Sequence, residues 1–182
     1  MKLLELAQRG VLEPLDLHFA LAMGRIADEG RDEVLLAAAL ASRAVREGHV
    51  CLDLGRVGRE PLLDQEEMPI DIAVPQLDAW LETLRASRLV GAGGEPTPLV
   101  LEADRLYLHR YFDYERRLAR ALRAHAVAAD DVDTAVLEDG LARLFSDRAA
   151  EEDDQCRAAR VVLTRRLAVI SGGPGTGKTT TV

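Results

Sequence analysis

The sequence predicts a mainly α-helical α+β domain with small β elements, followed by the first strand and turn of an α/β domain. Three observations predict it. Apolar residues recur at helical spacing through most of the chain, and period-two alternation is confined to short stretches. Near the end, a short apolar run leads into a glycine-rich segment followed by three threonines. With 182 residues there is room for one domain, or for one small domain and part of another. A content of 48% hydrophobic and 30% charged residues is that of a globular chain rather than a disordered one.

Taken in order, Asp16 to Asp28 has the spacing of a helix, with Leu17, Phe19, Leu21, Met23 and Ile26 apolar. After the break at Gly30, Asp32 is placed to cap a second helix, which carries Leu36, Ala39, Leu40 and Ala44 along one side and ends at Gly48. From His49 to Leu54 the period falls to two, so Val50, Leu52 and Leu54 should face inward from a strand. Gly55 to Ala73 lacks a period and reads as loop. Pro75 suits the first turn of a helix whose stripe is Leu77, Trp80, Leu81 and Leu84. Trp80 is expected in the core. Gly91 to Pro96 is a stop and turn, and Pro98–Glu102 with Arg105–Tyr111 should form a hairpin around Ala103 and Asp104, Leu106 and Leu108 pointing inward.

A longer helix is expected from Asp113 to Ala129, with Tyr114, Leu118, Ala121, Leu122 and His125 as its packing side. Arg116, Arg117, Arg120 and Arg123 form its solvated side; the alternative for these arginines is contact with phosphate or an acidic partner. Asp133 is placed to cap a helix ending near Ser146, and the acidic run from Glu151 to Asp154 favours the start of another that reaches about Thr164. Arg165 and Arg166 then lead into a strand over 167–170. The division expected is a domain over 1–110, then connecting helices and the opening of the α/β domain over 111–182.

Composition excludes several functions. A net charge of −8 would repel a nucleic-acid backbone, which argues against a duplex-binding module acting alone. No apolar run approaches the roughly 18 residues of a membrane span, so no membrane association is expected. Glu5 falls where a secretory leader would stay apolar. Cys51 and Cys156 are far apart and suit reduced thiols, and with them a cytoplasmic location. The four histidines are scattered, so no metal cage is expected.

One motif carries chemistry. Gly172-x-x-x-x-Gly177-Lys178-Thr179, after the apolar run Leu167–Ile170, is the Walker A pattern in its strand-to-helix context. In such a loop, backbone N–H groups and the following helix start cradle phosphate oxygens. The cradle would comprise Gly172, Gly173, Pro174, Gly175, Thr176, Gly177, Lys178, Thr179 and Thr180. Lys178 would reach the β- and γ-phosphates and the Thr179 hydroxyl would ligate Mg²⁺, which makes these two the catalytic candidates. Gln155, near the start of the preceding helix, carries an amide whose donor and acceptor match the adenine edge. On residue chemistry alone the ordinary reading is an exposed helical glutamine.

Several stretches resemble the RecD family of superfamily 1 helicases, subunits of the bacterial exodeoxyribonuclease V (RecBCD) complex. They are Leu15-Asp-Leu-His-Phe-Ala20, Glu47-Gly-His-Val-Cys-Leu52, Arg105-Leu-Tyr-Leu-His-Arg110 and, most diagnostic, the run from Gln155 through Thr164-Arg-Arg to Val182. The resemblance implies a P-loop, RecA-like motor whose start is truncated here, with ATP and Mg²⁺ as cofactors and Gln155 as the adenine-reading residue. It also implies 5′→3′ DNA helicase activity in double-strand break repair and recombination, beside RecB-like and RecC-like subunits, with the N-terminal domain docking on the latter and DNA held by the full-length motor. The Walker B carboxylates, second lobe, arginine finger and single-strand channel have no counterpart in these 182 residues, so as a fragment the chain is expected to lack ATPase activity. Alternatives are a docking module without motor activity, and part of a stand-alone RecD-like helicase. A winged-helix-like N-terminal fold is also compatible with the hairpin order.

Overall fold

The computed structural model describes residues 2–64, 66–70, 72–127, 129, 132–145, 154–176 and 178. The chain separates into two compact units, Met1–Arg116 and Arg117–Val182. The first is built around one helix. After α1 (Lys2–Gln8) and α2 (Pro14–Ala27), α3 (Asp32–Arg46) buries Val34, Leu36, Ala44 and every residue from Ala37 to Ala41. The one-sided stripe expected of α3 is therefore too narrow. Its alanines carry no bulk, so α1, α2, α5 (Leu77–Arg85) and strands β1 (Leu52–Asp53) and β6 (Arg105–Leu108) all pack against it. Trp80 and Leu84 of α5 are fully buried, and Trp80 Nε1 donates to Glu33 O at 2.9 Å, tying α5 to α3. The glycine stop is seen at Gly48, whose φ of 88° is one that L side chains rarely adopt.

Two polar clusters hold the helix ends. Asp16 is fully buried and accepts from Ser42 Oγ at 2.8 Å, from Arg46 at 3.2 Å and from the Glu13 N–H at 3.1 Å. It closes a capping box with Glu13 and pins α2 to α3. The second cluster is Glu29, Arg31 and Ser87. Arg31 donates to both Glu29 oxygens and also to Thr83 O and Ala86 O, the last carbonyls of α5, where a cation is favoured. Ser87 Oγ donates to Glu29 Oε2 at 2.7 Å.

The Arg31 guanidinium pulls the Glu29 carboxyl from 4.5 down to about 2, against the opposing effect of burial and with help from Ser87. A carboxyl depressed in the folded state stabilises above its unfolded value and loses that contribution as pH falls toward its folded value. Unfolding free energies of the wild type and Glu29→Gln from urea titrations should thus differ by a constant amount above pH 4.5, on the order of 2 kcal/mol, and converge as pH drops to about 2. A difference that stays flat across that window would refute the role given to this carboxylate.

The sheet runs β1-β6-β5-β4, with β4 at Val90–Gly91 and β5 at Leu99–Glu102. The β5–β6 hairpin turns at Ala103 and Asp104 as expected, and Leu106 is buried with Leu108 packed behind it. Tyr107, on the opposite side, is also buried, edge-on to Phe112 at 5.3 Å.

Several expectations are corrected. The strand over His49–Leu54 shrinks to Leu52–Asp53, because the Asp53 carboxylate caps the short helix α4 (Leu54–Val57) by accepting from Arg56 N at 2.8 Å. Val50 is consequently exposed rather than inward. Residues 55–73 are not simply loop, since β2 (Leu62–Leu63) and β3 (Pro69–Ile70) pair antiparallel. Pro75 lies ahead of α5 rather than in its first turn. Helix α6 (His109–His125) starts directly after β6, earlier than Asp113. Its expected packing side, Tyr114, Leu118, Ala121, Leu122 and His125, is exposed, and Phe112 is its buried residue. A periodic stripe shows that a face is apolar, not that something in the same chain covers it.

In the second unit Asp133 caps α7 (Thr134–Leu144) by accepting from the N–H groups of Ala135 and Val136. Helix α8 (Asp154–Thr164) packs on α7, burying Cys156 and Leu141, and Arg160 pairs with Glu138. The expected helix end near Ser146 and the acidic run 151–153 lie outside the described residues. No strand forms over 167–170, where Val169 is 84% exposed. A parallel strand needs neighbours on both edges and both faces, and the described residues of this unit supply none. The backbone pairing here lies just before, where Ala129 N donates to Thr164 O and Arg166 N to Val127 O. Among the described residues no helix is long and apolar enough to cross a membrane.

Candidate functional site

Helix α8 delivers Gln155 to the glycine-rich turn. Twenty-one residues separate Gln155 from Thr176, yet the Gln155 amide Nε2 donates to Thr176 O at 3.4 Å. The turn folds on itself through small residues. Thr176 Oγ1 donates to Gly173 O at 2.9 Å, and a side chain at Gly172 would place its Cβ 2.7 Å from that same hydroxyl. A side chain at Gly172 would therefore require the Thr176 side chain to shift.

Lys178 bends back over the turn. Its ammonium donates to Gly172 O at 2.6 Å and to Gly173 O at 2.7 Å, and lies 3.4 Å from Thr176 Oγ1. The turn from Gly172 to Thr176 is solvent-exposed, Pro174 and Gly175 included. Of the residues expected in the site, the structure thus brings together Gln155, Gly172, Gly173, Thr176 and Lys178. Gly177, Thr179 and Thr180 lie outside the described residues, and with them the proposed Mg²⁺ ligand.

The donor chemistry fits a phosphate. An ammonium with three N–H donors sits over a turn too small in side chains to block approach to its backbone. The ammonium is now held by neutral carbonyls, which ionised phosphate oxygens would outcompete as acceptors. Thr176 belongs to the cradle the Walker spacing names, but the spacing gives it no contact with Gln155 or Lys178. Its position between Gln155 and Lys178 arises from a contact between α8 and the turn that no spacing rule reports.

Away from the turn, burial pushes the Cys51 thiol and the Tyr107 hydroxyl up from their usual ranges, which favours the protonated form of each.

Fold and turn together define an α+β domain joined to a helical unit that carries a Walker A sequence beside a glutamine. Residues 8–107 match the family of the RecBCD enzyme subunit RecD, N-terminal domain. The chain belongs to this RecD family. It is 43% identical over its whole length to the RecBCD enzyme subunit RecD of Mycolicibacterium smegmatis, covering 30% of that protein. Against the subunit of the same name from Mycobacterium tuberculosis it is 38% identical over 96% of the chain, covering 28% of the relative. The corresponding subunit of Buchnera aphidicola from Schizaphis graminum is 35% identical over 57% of the chain, of which 17% of the relative is matched. The chain therefore spans under a third of the length of these curated relatives.

Proposed function

We propose that the chain is the N-terminal portion of an ATP-dependent 5′→3′ DNA helicase subunit acting with RecB-like and RecC-like partners in the repair of double-strand breaks. The observation that carries the nucleotide part is the approach of the Gln155 amide to a turn on which Lys178 is already folded. An adenine-reading group and a phosphate-reading group at one turn are what a nucleoside triphosphate site requires. Gln155, the loop Gly172–Gly177, Lys178 and Thr179 would hold ATP, with Thr179 on Mg²⁺. The bound metal would neutralise phosphate charge, and this chain's residues orient the base and the phosphates.

The match to the RecD N-terminal family falls within the first compact unit, which supports a docking role for that unit on the RecC-like subunit. The test is reconstitution of the full-length protein with both partner subunits. Co-purification of all three and ATP hydrolysis stimulated by single-stranded DNA are expected. A full-length protein that assembles but binds no ATP would defeat the motor reading and leave the docking role standing.

A further inference from the structure

Helix α6 carries an apolar stripe that the described residues leave exposed. Tyr114, Leu118 and Leu122 recur every four residues, which stacks them along one face, and they are 53%, 59% and 45% exposed. The helix is anchored elsewhere on its circumference. Phe112 is buried edge-on against Tyr107, and Arg116, one turn further on, covers the Phe112 ring at 5.3 Å. Two residues separate Phe112 from Tyr114, a rotation of about 200°, so the anchor points away from the start of the stripe. Tyr114 meets Tyr111 of the same helix edge-on at 6.2 Å, which still leaves it half exposed.

From this geometry we propose that the stripe is a docking face for the same polypeptide, namely the part of the full-length protein that follows Val182. The proposal rests on reading the chain as the N-terminal portion of a longer subunit, and it goes beyond that reading by naming what covers α6. Single exposed leucines are ordinary, but three large side chains in one row form a contiguous patch, and such patches mark contacts. The row also has an opposite side suited to water, since Arg116, Arg120 and Arg123 lie away from it and are exposed.

Position and size choose the occupant. The match to the RecD N-terminal domain ends at residue 107, ahead of the start of α6 at His109, so the stripe lies outside the domain to which partner docking is given. Similarity to the Mycolicibacterium smegmatis subunit nevertheless runs on through α6, and covers only 30% of that protein. A match that includes the N-terminal domain leaves most of such a protein to follow Val182. The patch is also small. A large side chain buries about 150–250 Å² at most, so three of them fall short of the roughly 800 Å² per partner of a stable subunit interface. A segment of the same chain is held near the helix by its connection and loses little translational freedom on docking. A contact of this size therefore holds it where a separate subunit would dissociate.

The test measures side-chain accessibility in the full-length protein purified without partner subunits. Leu118→Cys and Leu122→Cys should react with a maleimide at least about tenfold more slowly than Arg120→Cys on the opposite side, and urea should remove the difference. Site-resolved mass spectrometry separates these positions from Cys51 and Cys156. Hydroxyl-radical footprinting of Tyr114 in the wild type needs no substitution, and decides the matter if a cysteine variant misfolds. Tyr114 should be oxidised several-fold more slowly in the folded full-length protein than in urea. Labelling of both leucine positions at the Arg120→Cys rate, with Tyr114 unprotected, overturns the proposal. Protection that appears only on adding RecB-like and RecC-like subunits also overturns it, and gives the face to a partner. Protection that appears only at concentrations where sedimentation shows a dimer overturns it in favour of a second copy. ATP binding by the same full-length protein is scored separately, so failure of the motor reading is distinguishable from failure of this one.

Discussion

Replacing Lys178 by Ala in the full-length protein is expected to abolish ATP turnover, with a loss of at least about 10²- to 10³-fold. Lys178 is the cation that the described residues place at the turn, and its ammonium already lies 2.6 Å from Gly172 O and 2.7 Å from Gly173 O. Removing it leaves charge developing on a transferring phosphoryl group without that counter-charge. Phosphoryl transfer depends on positioning and charge stabilisation, with little covalent chemistry for the protein to do. Lys178→Arg should also fail to restore turnover. A planar guanidinium with a fork of five donors does not reproduce a compact point charge between two closely spaced carbonyls. Single-stranded-DNA-stimulated phosphate release measures the effect, and far-ultraviolet circular dichroism checks that the exposed turn has been altered without unfolding. Turnover in Lys178→Ala at the wild-type rate would remove the turn from the reaction.

Legibility of the fold followed the length of each element. Helices α2, α3 and α5 were readable because a stripe such as Leu77, Trp80, Leu81 and Leu84 repeats often enough to display its period. The segment from Leu54 to Ile70 was not, since β2 and β3 hold two residues each and α4 holds four. No period can be expressed in two residues, and the Asp53 cap that ends the preceding strand is a side-chain choice between two local structures. Asp16 was placed in α2 by pattern, but its burial depends on Ser42 and Arg46, which belong to α3. For the candidate site, the Walker spacing names the loop residues and the phosphate-binding role expected of them, but not the contacts they make with the rest of the chain. The Gln155 contact and the place of Thr176 depend on how α8 meets the turn, and the absence of a strand over 167–170 depends on neighbours outside the segment itself.

Trp80→Ala is expected to cost about 3–5 kcal/mol, the largest stability effect of a single substitution in the first unit. Trp80 is fully buried, and its stripe neighbour Leu84 is equally enclosed, so truncation opens a cavity that α5 cannot fill by a small shift. A second contribution comes from the indole N–H. It donates to Glu33 O at 2.9 Å, in the first turn of α3, and its removal frees that carbonyl. Trp80→Phe separates the two effects, because it keeps most of the volume and deletes the donor, with an expected loss of about 1–2 kcal/mol. Against a total stability of about 5–15 kcal/mol, the alanine variant would take a large share of what holds α5 to α3. Trp80 is the single tryptophan, so denaturation should be followed by far-ultraviolet circular dichroism rather than intrinsic fluorescence. If the alanine variant unfolds within about 0.5 kcal/mol of the wild type, the core does not depend on this side chain. If phenylalanine is as damaging as alanine, the hydrogen bond to Glu33 outweighs the volume, and α5 is held to α3 mainly by its polar tie.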